Sequence, residues 1–402
     1  MLPLANIKVV ELSHIVAGPT AGLLLADLGA EVIKVERLGT GDQARTMPGA
    51  GHAGFYHFNR NKRSIAVDLK ADKGKALIRK LVDKADVCLD NFAPGALERL
   101  GLGYEDLAKV NPRLLYLSLK GFLPGPYEDR LSLDEVAQMM GGLAYMTGPP
   151  GKPLRAGASI IDIGAATYGV IGILAALYMR ELTGVGQKIT SGLFETSSFL
   201  VGQWMALAAS SGQPSKPMAT EGQGVRMGWG IFHLFPTKDE QQVFIAVTSN
   251  AHWERFCKAF SFEDWLADES LDTNPKRAAA QLRVLPRVQA ETAKYTREEL
   301  MAKLQAANIG HAPVNRPDQL INDPHLKASG QLIETRFPTG GRGGVPKMPF
   351  KSSRYEMGMR RPAPGLGEHT REILAEAGYG QAEIEAMIAE GTVESGKPID
   401  LG

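Results

Sequence analysis

The hydrophobic and polar positions of this chain switch between two periods over its first 120 residues. "IKVVEL" (7–12) reads as a buried strand. "PTAGLLLADLG" (19–29) reads as a helix, with Pro19 near its start and Gly29 at its end. "EVIKVE" (31–36) is a second strand, followed by a long loop. "KADKGKALIRKLVDKA" (70–85) is an amphipathic helix that places Ala76, Leu77, Leu81 and Val82 on one face. "DVCLDNF" (86–92) and "RLLYLSL" (113–119) are two more strands, and the broken helical stretch 95–110 separates them. Strands alternating with helices predict an α/β fold around a mostly parallel sheet.

Further along, "SLDEVAQMMGGLAYMTG" (132–148) predicts a helix ending at Gly141-Gly142, and an irregular link follows. Next comes "GASIIDIGAATYGVIGILAAL" (157–177), predicted to become a long helix through Leu182, then a short strand and another apolar helix. "TEGQGVRMGWGIFHLF" (220–235) reads as a glycine-rich loop. From about residue 230 the texture changes. A strand and a helix capped near Ser249 precede several charged helices, which marks 230–330 as a smaller domain. The tail returns to loops and ends in two helices, 368–378 and 381–391.

Composition narrows the class. The 402 residues are 44% hydrophobic and 22% charged, as in globular proteins, and enough to bury a sizeable core. A net charge of +1 provides no global field for nucleic acid or an anionic membrane. Cys88 and Cys257 stand far apart in no metal-ligating spacing and read as buried, reduced thiols. The N-terminus lacks signal-peptide architecture, and the longest apolar stretch, 165–179, falls short of the ~20 residues a span needs. The expected setting is the cytoplasm, with no membrane and no nucleic acid.

Several chemistries are disfavoured. The first strand–turn–helix carries "AGPTAG" in place of G-x-G-x-x-G, so Glu36 at the end of the second strand is weak support for a nucleotide's ribose. The histidines are scattered, and no metal set or G-x-S-x-G elbow occurs. That leaves Asp162, the one charge in the 157–177 run. It has two readings. It caps the helix that follows it, or it is a partly desolvated carboxylate in a ligand cleft, kept ionised by the helix dipole and able to attack an activated electrophile.

Here the sequence resembles a known family. "VVELSHIVAGPTAGLLLADLGAEVIKVE", "NRNKRSIAVDLK", "DNFAPGALERLGLGY", "DEVAQMMGGLAYMTG", the 157–189 stretch and "LGEHTREIL" match, in order, motifs of the class III coenzyme A-transferases. The resemblance implies a Rossmann-like large domain built from both chain ends (1–229 and 331–402) and an inserted small α+β domain (230–330). It also implies a homodimer whose chains interlock. The family's catalytic aspartate falls on Asp162, which forms a mixed anhydride and then an aspartyl-CoA thioester. Coenzyme A contacts fall on His14, Ile15, Val16, Ala17, Arg37, Val67, Lys70, Asn91, Phe92, Arg99 and Leu100. Coenzyme A enters as a substrate, with no tightly bound cofactor and no metal.

The sequence departs from formyl-CoA transferase at Val16 and Leu131, where that enzyme has glutamine and lysine, and at Asp134, where it has glutamate. Its texture is closest to the branch acting on C4–C5 dicarboxylates: succinyl-CoA-dependent mesaconate, citramalate or itaconate transferases, or mesaconyl-CoA C1–C4 transfer within one molecule. A distal carboxylate calls for a cation, and Arg45 and Arg226 are the candidates, with His52, Gly222 and Gly224 beside them in the acyl pocket. One alternative is a 2-methylacyl-CoA racemase-like enzyme, but Leu133 of Ser132-Leu133-Asp134 occupies that branch's histidine slot. The other is a non-catalytic coenzyme A-binding protein.

Overall fold

The structure, a computed structural model, describes residues 1–218, 228–338 and 340–400. The chain divides into two compact units, Met1–Ser215 with Pro324–Gly402, and Lys216–Asp323.

The larger unit begins with β1 (Lys8–Leu12), α1 (Ala17–Asp27), β2 (Glu31–Glu36), α2 (Ala50–Phe58), β3 (Lys62–Val67) and α3 (Asp72–Asp83). It continues with β4 (Val87–Asp90), α4 (Tyr104–Val110), β5 (Leu115–Lys120), α5 (Asp134–Met140) and α6 (Leu143–Thr147). Then come α7 (Ile160–Thr183), β6 (Gln187–Gly192), α8 (Leu193–Leu200) and α9 (Gly202–Ser211). The smaller unit holds β7 (Ile231–Pro236), β8 (Gln242–Val247), α10 (Asn250–Ala259), α11 (Glu263–Leu266), α12 (Asn274–Ala279), α13 (Gln281–Thr292), α14 (Arg297–Ala306) and β9 (Gly310–Pro313). The chain returns to the larger unit through α15 (Pro324–Ala328), β10 (Leu332–Arg336), β11 (Arg342–Pro346), α16 (Thr370–Glu376), α17 (Gln381–Ala389) and β12 (Val393–Glu394).

The main sheet has the order β12-β3-β2-β1-β4-β5-β6. All neighbours are parallel except β12, which runs antiparallel along β3. Alternate strand residues feed two cores, as the pleat requires. Val9, Val32, Leu89 and Leu117 face α1 and α7, with Ala21, Ala165 and Ile173. Val10, Ile65, Cys88 and Tyr116 face the opposite layer, which the C-terminal Ile373, Leu374, Ile384 and Val393 complete. Both chain ends therefore build one three-layer unit. The smaller unit packs helices on the antiparallel sheet β7-β8-β9 around Trp253, Phe256 and Val284.

Three elements escape the hydrophobic pattern. β3 lies in the stretch read as loop because it opens on Lys62, Arg63 and Ser64, all buried. Their charges are met at long range: Lys62 by Glu11 at 2.8 Å and Arg63 by Glu376 at 2.7 Å. The end of the glycine-rich segment is β7, and α2 also occupies the early loop. The helix read from 132 onward ends at Gly141-Gly142 as expected: α5 closes at Met140, Gly142 takes a φ of 85°, and the chain restarts as α6.

α7 has 24 residues, longer than the apolar run seen in the sequence and long enough by composition to cross a membrane. Its packing explains its apolarity differently. Gly169 and Gly172 let it lie directly on the sheet: a Cβ there would sit 2.8 Å from Leu117 and 2.9 Å from Ile189. Near its end the buried Arg180 pairs with Asp86 at 2.8 Å.

Between α1 and β1 the contact is tighter still. A Cβ on Gly22 would fall 1.9 Å from Glu11 Oε2, a carboxylate that two buried lysines hold in place. Gly22→Ala is therefore expected to cost roughly 2–4 kcal/mol of stability, read as a lower urea midpoint at constant slope. A variant within about 0.5 kcal/mol of wild type would show the cluster free to yield.

Candidate active site

The strand order reverses between β1 and β4. In a doubly wound sheet ligands bind outside the carboxyl ends of the strands at this switch point. The turn after β1 and the end of β4 meet there through a reciprocal pair. His14 N donates to Asn91 Oδ1 at 3.0 Å, and Asn91 Nδ2 donates to the His14 carbonyl at 2.9 Å. The His14 ring stands edge-on to Phe92, 5.3 Å between centroids. Burial holds its pKa below the usual value, so the ring is neutral at pH 7. His14 Nδ1 is buried without a hydrogen-bond partner among the described residues.

Four of the sequence-proposed contacts, His14, Ile15, Val16 and Ala17, form this turn, and Asn91 and Phe92 lie across from it. Arg37 follows β2, Lys70 follows β3 and Arg99 follows β4, all three exposed. They are cations on loops at the same carboxyl edge. Val67 and Leu100 differ: Val67 is fully buried in the core and Leu100 packs against it.

α7 is the crossover from β5 to β6, so its first turn also starts at the carboxyl edge. It lies beside α1, and Ile161 and Ala165 share a core cluster with Ala17 and Ala21. The topology thus brings Asp162 to the side of the sheet that carries the β1–α1 turn.

Asp162 is not the helix cap. The N-cap is Ser159, which makes no side-chain cap bond, and Asp162 stands three residues in. The cap comes from another element. Asp134 Oδ2, at the first residue of α5, accepts from Ile161 N at 2.9 Å and Asp162 N at 3.1 Å. Asp134 is buried, and so is Gln138 one turn on, whose amide donates to Asp134 Oδ1. Gln138 Oε1 accepts from Ala156 N at 2.8 Å, which ties down the irregular link. Arg155 reaches Asp134 at 4.0 Å and pairs with Glu135.

The helix dipole, expected to keep Asp162 ionised, is opposed by the surroundings of its carboxyl. Burial, then the charges of Asp134 and Glu135, push its carboxyl up to about 7 against a weaker pull from Arg155. No hydrogen bond to its oxygens from a described residue offsets this. With Asp134 already neutralising the α7 amides, the dipole has less to offer the aspartate inside the first turn.

The acyl-pocket candidates are divided. Arg45 is already engaged: it donates twice to Glu36, at 2.8 and 2.7 Å, donates to the Pro364 carbonyl and stacks on Phe55 at 4.0 Å. Glu36, weighed as a ribose acid, is taken up by that pair and by Ser64 Oγ at 2.6 Å. His52 Nδ1 donates to the Arg45 carbonyl at 2.8 Å, and its Nε2 pairs with the Tyr56 hydroxyl at 3.3 Å. Gly222, Gly224 and Arg226 lie outside the described residues. Leu133, in the histidine slot of the racemase alternative, is exposed beside Asp134. Sequence reading missed the Asp134–Gln138 cap, since no local pattern records a carboxylate serving a helix that begins 26 residues later.

Comparison with known proteins comes down on one family. Residues 4–370 match the model of CoA-transferase family III. The chain belongs to that family. It is 34% identical over 386 residues to a succinate–glutarate CoA-transferase of Agrobacterium fabrum, covering 93% of this chain and 95% of that one. A formyl-CoA:oxalate CoA-transferase of Rhodopseudomonas palustris is 33% identical, with 95% of each chain covered. A solved CaiB/BaiF family protein from Brucella suis superposes with a TM-score of 0.81 at 34% identity, covering 93% of this chain and 99% of that one.

The raised carboxyl has a stability consequence. Its folded pKa lies above the ordinary aspartate value of 3.8, so it costs stability as pH rises between 3.8 and about 7, fully so above. After allowing for its partial exposure, Asp162→Asn is expected to gain about 2 kcal/mol at pH 8 and little at pH 4. Asp134→Asn, which keeps an acceptor for the α7 amides and removes the charge, should move that crossover to lower pH. Equal gains at both pH values would show that Asp162 is not perturbed.

Proposed function

We propose that this enzyme moves coenzyme A between an acyl-CoA and a carboxylic acid, with Asp162 as the covalent nucleophile. The observation that carries this reading is the placement of a desolvated aspartate at the head of α7, on the carboxyl edge of the sheet, in a core shared with the β1–α1 turn. Asp162 attacks the thioester carbonyl of the donor. The C–S bond breaks, and a mixed anhydride and coenzyme A thiolate result. The thiolate attacks the aspartyl carbonyl, releasing the donor acid and leaving an aspartyl-CoA thioester. The acceptor carboxylate attacks that thioester to give a second anhydride, and the returning thiolate forms the new acyl-CoA and frees Asp162. A carboxylate stripped of water attacks more readily, and a dry site spares the anhydrides from hydrolysis.

Coenzyme A suits the switch point in charge. The exposed Arg37, Lys70 and Arg99 suit its phosphates. For the acids, the relatives named for succinate and glutarate support C4–C5 dicarboxylates. Transfer between molecules and migration within one use the same steps. With Arg45 tied to Glu36, Arg226 becomes the better candidate for the distal carboxylate.

A second copy of the chain suits the apolar face left by α7, α8 and α9, where Ile171, Tyr178, Leu182, Phe199 and Met205 are each more than half exposed. Such a face marks an interface. Light scattering on the purified protein should give a mass near twice the 43.3 kDa of one chain. A monomer at micromolar concentration would defeat the dimer reading.

The chemical test is trapping. Incubation with succinyl-CoA and hydroxylamine should place a hydroxamate on Asp162, and Asp162→Ala should lose at least about a thousandfold in kcat. In wild type, kcat/KM for the acyl-CoA should fall as pH drops below about 7, because the attacking form is the carboxylate. Modification at another residue, or an active Asp162→Ala, would refute the mechanism. With succinyl-CoA as donor, glutarate, itaconate, mesaconate or citramalate should outpace oxalate by about tenfold or more.

A further inference from the structure

The β1–α1 turn is made in an unusual way. Dinucleotide enzymes use glycine where the chain turns from the first strand into its helix. Here the residue with left-handed φ is Ile15, at +64°. Among the described residues it is the only β-branched one so placed. That conformation costs an L-residue roughly 1–2 kcal/mol, and a β-branched side chain makes it a genuine outlier. Such strain persists only where surrounding structure over-determines it.

Three buried or half-buried side chains from other elements supply that constraint, one for each residue of the turn. Lys34 of β2 donates to the Ser13 carbonyl at 3.0 Å. Asn91 pairs with both backbone groups of His14. Asp42 Oδ1, in the loop after β2, accepts from Ile15 N at 2.9 Å and from Ala44 N at 2.9 Å. Asp42 is itself fixed: Lys34 Nζ lies 2.9 Å from its Oδ2, and its own N–H donates to Glu36 Oε2 at 3.0 Å.

We propose that Asp42 is a positioning residue for coenzyme A: by accepting the Ile15 N–H it holds the β1–α1 turn in the strained shape that forms one wall of the switch-point pocket. The inference rests on the reading that this turn contacts coenzyme A. Burial works to raise the Asp42 pKa, but Lys34 and the two backbone donors bring it down to about 2. The hold therefore persists across the working pH range. Asp42 touches no reacting atom in this scheme, so its loss appears in binding and not in chemistry.

The test is calorimetric titration of the full-length enzyme with coenzyme A, beside steady-state kinetics. Asp42→Ala should weaken binding by about tenfold or more, and raise KM for the acyl-CoA in parallel, with kcat at saturation changed less than about threefold. Asp42→Asn keeps an oxygen for Ile15 N–H and should recover most of the affinity. Ile15→Gly, introduced into Asp42→Ala, should recover the part of the affinity that depends on the turn's backbone, because glycine adopts the left-handed turn without help. If Asp42→Ala does not fold, Asp42→Ser serves in its place. It still caps Ala44 but falls short of Ile15, and the same glycine rescue is expected.

Wild-type affinity in Asp42→Ala, alongside weakened binding in Asn91→Ala, would overturn the proposal alone. So would an Asp42→Asn as weak as Asp42→Ala with no glycine rescue, which would reduce Asp42 to a counter-charge for Lys34. Wild-type affinity in Asn91→Ala as well would overturn the coenzyme A site reading, and the proposal with it.

Discussion

A parallel sheet imposes one constraint from which the site follows: every crossover helix must start at the same edge. β1, β4 and β5 all end where α1 and α7 begin. The strand order reverses between β1 and β4, so the chain parts on either side of that line and leaves a crevice. His14 and Asn91 bridge its floor. Asp162 reaches the same edge because its helix is the next crossover but one. No loop needs to be long or mobile for these groups to gather, since strand polarity alone gathers them.

Charge at that edge is handled by pairing at long range. Glu11, Lys34, Asp42 and Lys62 form a neutral buried group spanning β1, β2, β3 and the loop after β2. Glu36 and Arg45 form another pair beside it. Ion pairs buried this deeply add little net stability, but breaking one leaves an unpaired charge and costs several kcal/mol. They therefore fix geometry more than they add energy, and the geometry they fix is that of the β1–α1 turn. Asp134 is the exception that suits chemistry. Its charge is spent on the α7 amides, yet it still repels the Asp162 carboxylate next door. One side chain both starts the helix and makes its aspartate more basic.

What the sequence by itself determined was whatever depends on neighbours along the chain. β1, β2, β4 and β5 were legible because their apolar runs are short, bounded and β-branched or leucine-rich, and α1 and α3 because their periodicity is local. Ser249 reads as a cap and caps α10, accepting from His252 N at 3.1 Å. The ordered motifs pointed to the family and, through it, to Asp162. Tertiary structure alone decided the rest. β3 was hidden because Lys62 and Arg63 look solvent-bound until Glu11 and Glu376, far off in sequence, are brought to them. Asp162 looked like a cap because a cap is a local device, whereas its helix is capped by Asp134, 28 residues upstream. Arg45 looked free for a substrate until Glu36 folded against it. In each case a charged group's partner is chosen by three-dimensional proximity, which hydrophobic periodicity does not encode.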